Sequence, residues 1–320
     1  MNTVVARRTE TVCRVLLGAL ALATILAYFG LWSWLCDLFS HFRVQYAVLG
    51  AMLAVIFGAT RRPALATISV AAFLANLPPI IPQFVPPAIA AADTRSAPLR
   101  VLAFNVFKYS HEYQRMVQFV SEESPDVLIL FEVTPAWAQA LDALQAHYAY
   151  RWVHPGDDAS GIAVLSRRIP LESQVIDLGG NGVPSLLFTV PDPGGDLTFV
   201  AAHLSWPFGT RLAGIRNAQL AALARLAREH RGAFAIVGDL NVTPYSPRFQ
   251  QLLRDGGLHN CAEGVGPRAT WPAFVVPLLI QIDHCLANAQ VNASDFRVGR
   301  FLGSDHYPIS FELRVQARTP

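Results

Sequence analysis

Polar side chains recur in this sequence where short apolar runs stop. Asn105 closes LAFN, Glu132 closes LILFE and His203 closes FVAAH; Asp239 and Asn241 follow AIVG, Asp283 closes LIQID, and Ser304-Asp305-His306 opens the last run. A single Asp or Asn after a strand is commonly a turn residue or a cap. Six such places carrying carboxylates, amides and imidazoles ask for another account. Carboxylates and amides gathered at one edge of a sheet would form a hard-oxygen site suited to Mg²⁺. The remaining carboxylates and the two histidines would then be free to hold protons and position a nucleophile.

Other chemistries lack their sequence signatures. There is no GxGxxG or GxxxxGK[ST], so dinucleotide and P-loop chemistry have no support. GxSxG is absent, which removes the usual serine hydrolase, and so are the DxH and GNH elements of a histidine-rich dimetal phosphatase. The four cysteines form no CxxC pair.

The elements that must position these residues are legible from residue 99 onward. Strands are expected at 99–106, 126–131, 161–166, 185–190, 197–203, 233–237, 281–287 and 307–315, where apolar residues dominate short runs. Tyr113, Met116, Val117 and Val120 fall at helical spacing between the first two strands. The longest helix is predicted over 210–229, with Leu212, Ile215, Leu220, Leu223 and Leu226 on its buried side. Strands outnumber helices and do not strictly alternate with them. That favours an α+β fold, a two-sheet sandwich flanked by helices, over a doubly wound parallel sheet.

The first 92 residues have a different composition. The chain is 52% hydrophobic and only 15% charged, against about 25% charged for an ordinary soluble domain. Residues 1–92 hold six basic and two acidic side chains, net +4, whereas 93–320 hold 19 basic and 21 acidic, net −2. The uncharged stretches predict about three transmembrane helices, near 15–36, 44–60 and 63–81, making residues 1–82 a membrane anchor. A cleaved signal peptide is the alternative for the first. Arg7, Arg8 and Arg14 before the first span and Arg61-Arg62 after the second place those ends in the cytoplasm. Three crossings then put the remainder outside a bacterial inner membrane; two would leave it cytoplasmic. Residues 83–98, rich in Pro and Ala, read as a tether.

Taken together, FN, FE, AHLSWP, GDLN, IDH and GSDHYP resemble the endonuclease/exonuclease/phosphatase superfamily, in the family's order across residues 99–315. Its members include DNase I-like nucleases, inositol-phosphate phosphatases and sphingomyelinases, and a membrane-anchored bacterial branch is the most similar. The resemblance implies a four-layer α/β/β/α sandwich over 99–320 and a Mg²⁺-dependent phosphoesterase, with Mn²⁺ as a substitute. It makes Glu132 the principal metal ligand, supported by Asn105 and Asp305. It makes Asp239 the group that orients or deprotonates the attacking water and gives Asn241 a phosphate oxygen. His306 would contact the scissile phosphate with Asp283 holding its ring, and His203 would contact the phosphate or assist the leaving group. The catalytic tyrosine that some members carry has no match here, and Glu172 is a weak candidate for the acid that others pair with the first histidine.

The substrate stays open between nucleic acid and a lipid or small phosphoester; a catalytically inactive tethered binding domain is the alternative of another class. Against duplex DNA stand the net charge of −2 and a single lysine, Lys108. Strand alternation turns His284 away from Asp283, towards a structural role. His111, His147, His154, His230 and His259 fit no ligand spacing, and Arg216 and Gln219 are expected as structural ties. Cys261 and Cys285 are read as free thiols, with pairing the alternative. The run 273–280, AFVVPLLI, is expected as a buried strand; Pro277 raises the alternative of an exposed apolar lip.

Overall fold

The computed structural model describes residues 3–86 and 97–316. The N-terminal part forms α1 (Thr3–Leu26), α2 (Trp34–Ser40), α3 (Arg43–Ala59) and α4 (Pro63–Asn76). Close packing of α3 on α4 depends on Gly50, where a Cβ would meet the Phe73 backbone at 3.0 Å.

Three separate membrane-length helices are not what forms. Among the described residues, only the stretch Arg7–Phe29 is long and apolar enough by itself to cross a membrane; α2 and α3 qualify only if counted as one span bent by 60°. The helix that follows, α4, has 14 residues, roughly 21 Å against a hydrocarbon thickness of about 30 Å. The reason lies in the polar residues between the apolar runs. Ser33 caps α2 through the Leu35 N–H, so the first helix stops before it. Asp37 and Arg43, which fall between the first two predicted spans, are both buried. Arg43 donates to Asn76, which donates to Thr24, forming a polar node within the helical unit.

From residue 99 the chain builds β1 (Leu99–Asn105), α5 (Tyr113–Glu123), β2 (Val127–Phe131), α6 (Pro135–Ala140), β3 (Tyr150–His154), β4 (Ile162–Ser166), β5 (Glu172–Asp177) and β6 (Pro184–Val190). Then come β7 (Leu197–His203), α7 (Gly209–Glu229), β8 (Ala233–Asp239), α8 (Pro247–Gly256), β9 (Leu258–Asn260), β10 (Asp283–Asn288), β11 (Val291–Val298) and β12 (Ile309–Val315). They make two mixed six-stranded sheets, ordered β11-β12-β1-β2-β4-β3 and β5-β6-β7-β8-β10-β9. One core, including Phe131, Phe188, Phe199 and Phe311, fills the space between the sheets. A second lies under α7 and α8, and a third between the first sheet and α5 and α6. Four layers result, as expected from the mixture of strands and helices.

Topology brings the functional strand ends together. The parallel pairs β1–β2 and β7–β8 align Asn105 with Phe131 and His203 with Asp239. Two antiparallel neighbours begin where those strands end: β10 sets Asp283 opposite Asp239, and β12 sets Ile309 opposite Ala103. Gly238 permits this convergence, because a Cβ there would lie 1.8 Å from the Ala202 carbonyl oxygen.

The expected tether, 83–98, is in part something else. Gln83 is buried, and its carbonyl accepts from the N–H groups of Gly264 and Gly266. Residues 87–96 of that segment lie outside the described residues. The run 273–280 is not a buried strand either. Phe274, Val275, Val276 and Leu278 are exposed, with a short 3₁₀ turn at Val276–Leu278. The proline removes a ladder donor where the chain would have to pair.

Candidate active site

All nine residues singled out at strand ends meet at one edge of the sandwich. Asn105 Nδ2 donates to Glu132 Oε1 at 3.1 Å and to Asp239 Oδ2 at 3.2 Å. Its Oδ1 accepts from the Phe107 N–H, and the Lys108 N–H binds Glu132 Oε2. Glu132 adopts a positive φ of 60° immediately after β2, a conformation unfavourable for a side-chain-bearing residue and held here by these bonds.

Asp239 sits at the centre, 1% exposed. His203 Nε2 lies 3.5 Å and His306 Nε2 3.7 Å from its Oδ2. Its Oδ1 accepts the Asn241 N–H at 3.0 Å. Behind His306, Asp283 Oδ2 is 2.9 Å from Nδ1. Asn241, also at positive φ (49°), donates its side-chain amide to the Leu204 carbonyl. His203 is oriented by the Ala159 carbonyl, 3.1 Å from its Nδ1.

Burial and neighbouring charge set the protonation of this cluster. Burial raises the Asp239 carboxyl, and the Asp283 charge adds to that, while His306 and His203 oppose it; the outcome is about 6. For His306, burial pulls the imidazole down, but Asp283, Asp239 and Asp305 outweigh it and push it up to about 10. The three carboxylates around it thus keep the His306 imidazole protonated at neutral pH.

Two donor sets are present. Asp239, Asp283 and His306 offer ligand atoms within 4.8 Å of one another. However, the His306 and Asp283 atoms already face each other in a hydrogen bond, which a cation between them would have to break. The second set is Glu132, Asn105 and Asp305. Asp305 Oδ2 accepts from Trp271 Nε1 at 3.0 Å, while its Oδ1 is buried without a hydrogen-bond partner. Burial raises the Asp305 carboxyl and the nearby Glu132 charge raises it further. Two carboxylates beside an amide, one of them with a buried oxygen that has no hydrogen-bond partner, fit a hard divalent cation.

Several supporting residues carried no signal in the sequence. Trp271 orients Asp305 and Thr270 Oγ1 accepts from the Asp283 N–H; Ser304, already singled out beside Asp305 and His306, donates its Oγ to the Asn105 carbonyl. Ser, Thr and Trp in loops acquire such roles only through proximity. Gln219 and Arg216 are structural ties, as expected: Gln219 accepts from the Ser205 N–H and Arg216 donates to the Asn241 carbonyl. His284 is fully buried on the opposite face of β10, with Nε2 2.8 Å from the Val242 carbonyl. Glu172, on edge strand β5, accepts from Thr189 of β6, and Thr189 in turn meets Thr198 near the start of β7, the end opposite His203. It takes no part in the site. Cys261 and Cys285 are both free and buried.

The sequence profile of the Endonuclease/Exonuclease/phosphatase family matches residues 102–306, so the chain belongs to that family and is a metal-dependent phosphoesterase by class. Solved structures share the fold at low identity. The D. rerio TDP2 complexed with single strand DNA product is 19% identical, with a TM-score of 0.58, covering 68% of this chain and 100% of its own. An endonuclease/exonuclease/phosphatase from Bacteroides vulgatus is 18% identical, with a TM-score of 0.58, covering 69% and 100%. Another from Beutenbergia cavernae is 22% identical, with a TM-score of 0.55, covering 69% and 72%. No curated protein matches the sequence.

Proposed function

We propose that this protein is a Mg²⁺-dependent phosphodiesterase, held at a membrane by its N-terminal helices, that cleaves P–O bonds by in-line attack of water. The observation that carries the reading is the linked chain Glu132–Asn105–Asp239–His306–Asp283. Glu132, Asn105 and Asp305 would hold Mg²⁺, which supplies Lewis-acid neutralisation of charge on the phosphoryl oxygens. Asp239 orients the attacking water and accepts its proton at Oδ2. Asn241 donates to a non-bridging oxygen. The imidazolium of His306, kept charged by Asp283, stabilises the charge that develops on the equatorial oxygens. His203 supports the leaving oxygen from the other side of Asp239.

The test is hydrolysis of bis(p-nitrophenyl) phosphate by the full chain in detergent. Activity should require added Mg²⁺ and fall by about 10³-fold or more in Glu132→Ala, as for loss of a principal electrostatic contributor. Metal-independent turnover, or wild-type turnover by the variant, would sink the assignment; no turnover by the unaltered chain at any Mg²⁺ concentration would favour an inactive binding domain.

Membrane anchoring rests on apolar exposure. Val15, Leu22 and Ile25 on α1, Val48, Met52 and Val55 on α3, and Ile68 and Leu74 on α4 are all exposed. So large an unpartnered apolar surface marks a lipid or protein interface. Glu10 pairs with Arg14 and Arg62, keeping the basic ends of α1 and α4 together, at the side the positive-inside rule assigns to the cytoplasm.

Lipid-borne phosphoesters are the substrate reading that the rim favours. Two exposed apolar lips flank the site: Trp206 with Phe208, and Phe274–Val276 with Leu278 and Phe301. Phe208 packs on Trp34 of α2, and the Leu279 carbonyl accepts from Gln45 of α3. Both lips are therefore fastened to the helices proposed to lie in the bilayer. Nucleic acid is the competing reading, supported by the TDP2 structure with a DNA product and opposed by the domain's net charge of −2. A Phe274→Ser/Val276→Ser variant should lose activity on vesicle-borne phosphodiesters while retaining it on the soluble one. Equal retention on both would remove the lipid reading.

A further inference from the structure

We infer that the N-terminal helices are part of the catalytic apparatus: Asp37 on α2 is a positioning residue for Asn241, acting through Arg216. The inference rests on the role proposed above for Asn241.

Asp239 ends β8 and Asn241 follows in the loop, both on the site-facing side, and α2 grips that loop from behind. Arg216 is fully buried on α7 and Asp37 is 1% exposed. Arg216 Nη2 donates to Asp37 Oδ2 at 2.5 Å, while Nη1 donates to the Asn241 carbonyl at 3.2 Å. One rigid guanidinium thus joins a helix 204 residues upstream to the backbone of the phosphate-contacting residue. The other oxygen of Asp37 accepts from Ser246 Oγ at 2.6 Å, at the far end of the same loop. Between these points, His41, the residue that caps α2, is hydrogen-bonded through Nδ1 to the Thr243 hydroxyl at 2.9 Å, with the Thr243 N–H at 3.4 Å from the same nitrogen. Three residues of one six-residue segment are therefore fixed by α2.

That grip matters because of how Asn241 is held. Its backbone is left-handed (φ 49°), a conformation that persists only when the surroundings over-determine it. Its N–H binds Asp239 and its side-chain amide binds Leu204, so any shift of its carbonyl is passed to the nucleophile-orienting carboxylate as well. Arg216 needs a buried counter-charge to keep its geometry; without Asp37 it becomes an unpaired buried cation and must move or draw in water. Asp37 and His41 both precede the family-matched segment 102–306. They belong to this chain's own helical addition.

The experiment is a double-mutant cycle on the full chain in detergent: Asp37→Asn, Asn241→Ala and the pair, assayed on bis(p-nitrophenyl) phosphate at saturating Mg²⁺. Rates are normalised to folded protein by tryptophan fluorescence. If Asp37 acts through Asn241, Asp37→Asn lowers kcat by about tenfold with little change in KM, the scale of a lost supporting contact. The pair is then no slower than Asn241→Ala alone. Losses that multiply in the pair, or a wild-type kcat in Asp37→Asn beside an impaired Asn241→Ala, would overturn the inference and leave the site assignment standing. Full activity in Asn241→Ala would overturn both. Should Asp37→Asn fail to fold, Ser246→Ala and Thr243→Val each remove one hydroxyl bond of the grip without unpairing Arg216, and unchanged kcat in both would refute it.

Discussion

The pairing of Asp283 with His306 offers the sharpest test of the chemistry. Asp283→Asn keeps the shape of the side chain but removes the charge facing Nδ1 at 2.9 Å. Both groups are almost wholly buried, Asp283 at 3% and His306 at 4% exposure, so solvent cannot take over the role. A hydrogen bond to a charged group contributes about 1.5–3 kcal/mol, which corresponds to roughly one to two pH units on the imidazole. It corresponds equally to about a 10- to 100-fold fall in kcat if the imidazolium stabilises the transition state. His306 starts from about 10, where burial lowers it and three carboxylates raise it. Measured from pH 6 to 10.5 at fixed free Mg²⁺, kcat/KM on bis(p-nitrophenyl) phosphate should lose its alkaline limb earlier in the variant. Asp239→Asn should cost more than Asp283→Asn, because it removes the group that orients water. An unchanged pH profile with unchanged kcat would refute a charged role for His306. An equal, complete loss in both variants would place Asp283 against the reacting atoms instead.

Three further outcomes are expected. Both Asp239, at about 6, and His306, at about 10, bind protons more tightly in the folded chain than their ordinary values of 3.8 and 6.5. Their stabilising contributions are therefore lost as pH rises through about 6 and about 10 respectively, so the chelated protein should melt higher at pH 5.5 than at pH 9. Mg²⁺ should restore more stability at the higher pH, and a chelated midpoint that rises with pH would contradict this. Gly238→Ala forces a Cβ to 1.8 Å from the Ala202 carbonyl oxygen and 3.0 Å from Phe131; a loss of about 3 kcal/mol or more in a denaturant melt is expected, and a near-neutral change would show that β7 and β8 can part. With Arg7–Phe29 as the one full crossing and the basic end of α1 inside, a phosphatase-type topology reporter fused after Pro320 should be active outside the cytoplasm, and activity only inside would overturn that orientation.

The sequence alone determined the type of fold and the residues that meet at its edge. Apolar strand cores announce themselves by composition, and polar residues at their ends must emerge at a sheet edge, so Asn105, Glu132, His203, Asp239, Asp283 and His306 were legible one by one. The central strands were legible for the same reason. Edge strands β3, β5 and β11 were not, because they are largely half-buried or exposed and lack an apolar run. Proximity across the chain was decided only by the tertiary structure. Nothing near Asp37 marks it as the partner of Arg216, 179 residues away, and its charge in an apolar region reads naturally as a loop. Trp271, Thr270 and Ser304 are ordinary loop residues until folding sets them against Asp305, Asp283 and Asn105. The same holds for 273–280: eight apolar residues suggest a core strand, but an apolar run does not reveal whether protein, lipid or water will cover it. Periodicity records what one element buries, whereas a contact between distant elements depends on three-dimensional packing that no local pattern encodes.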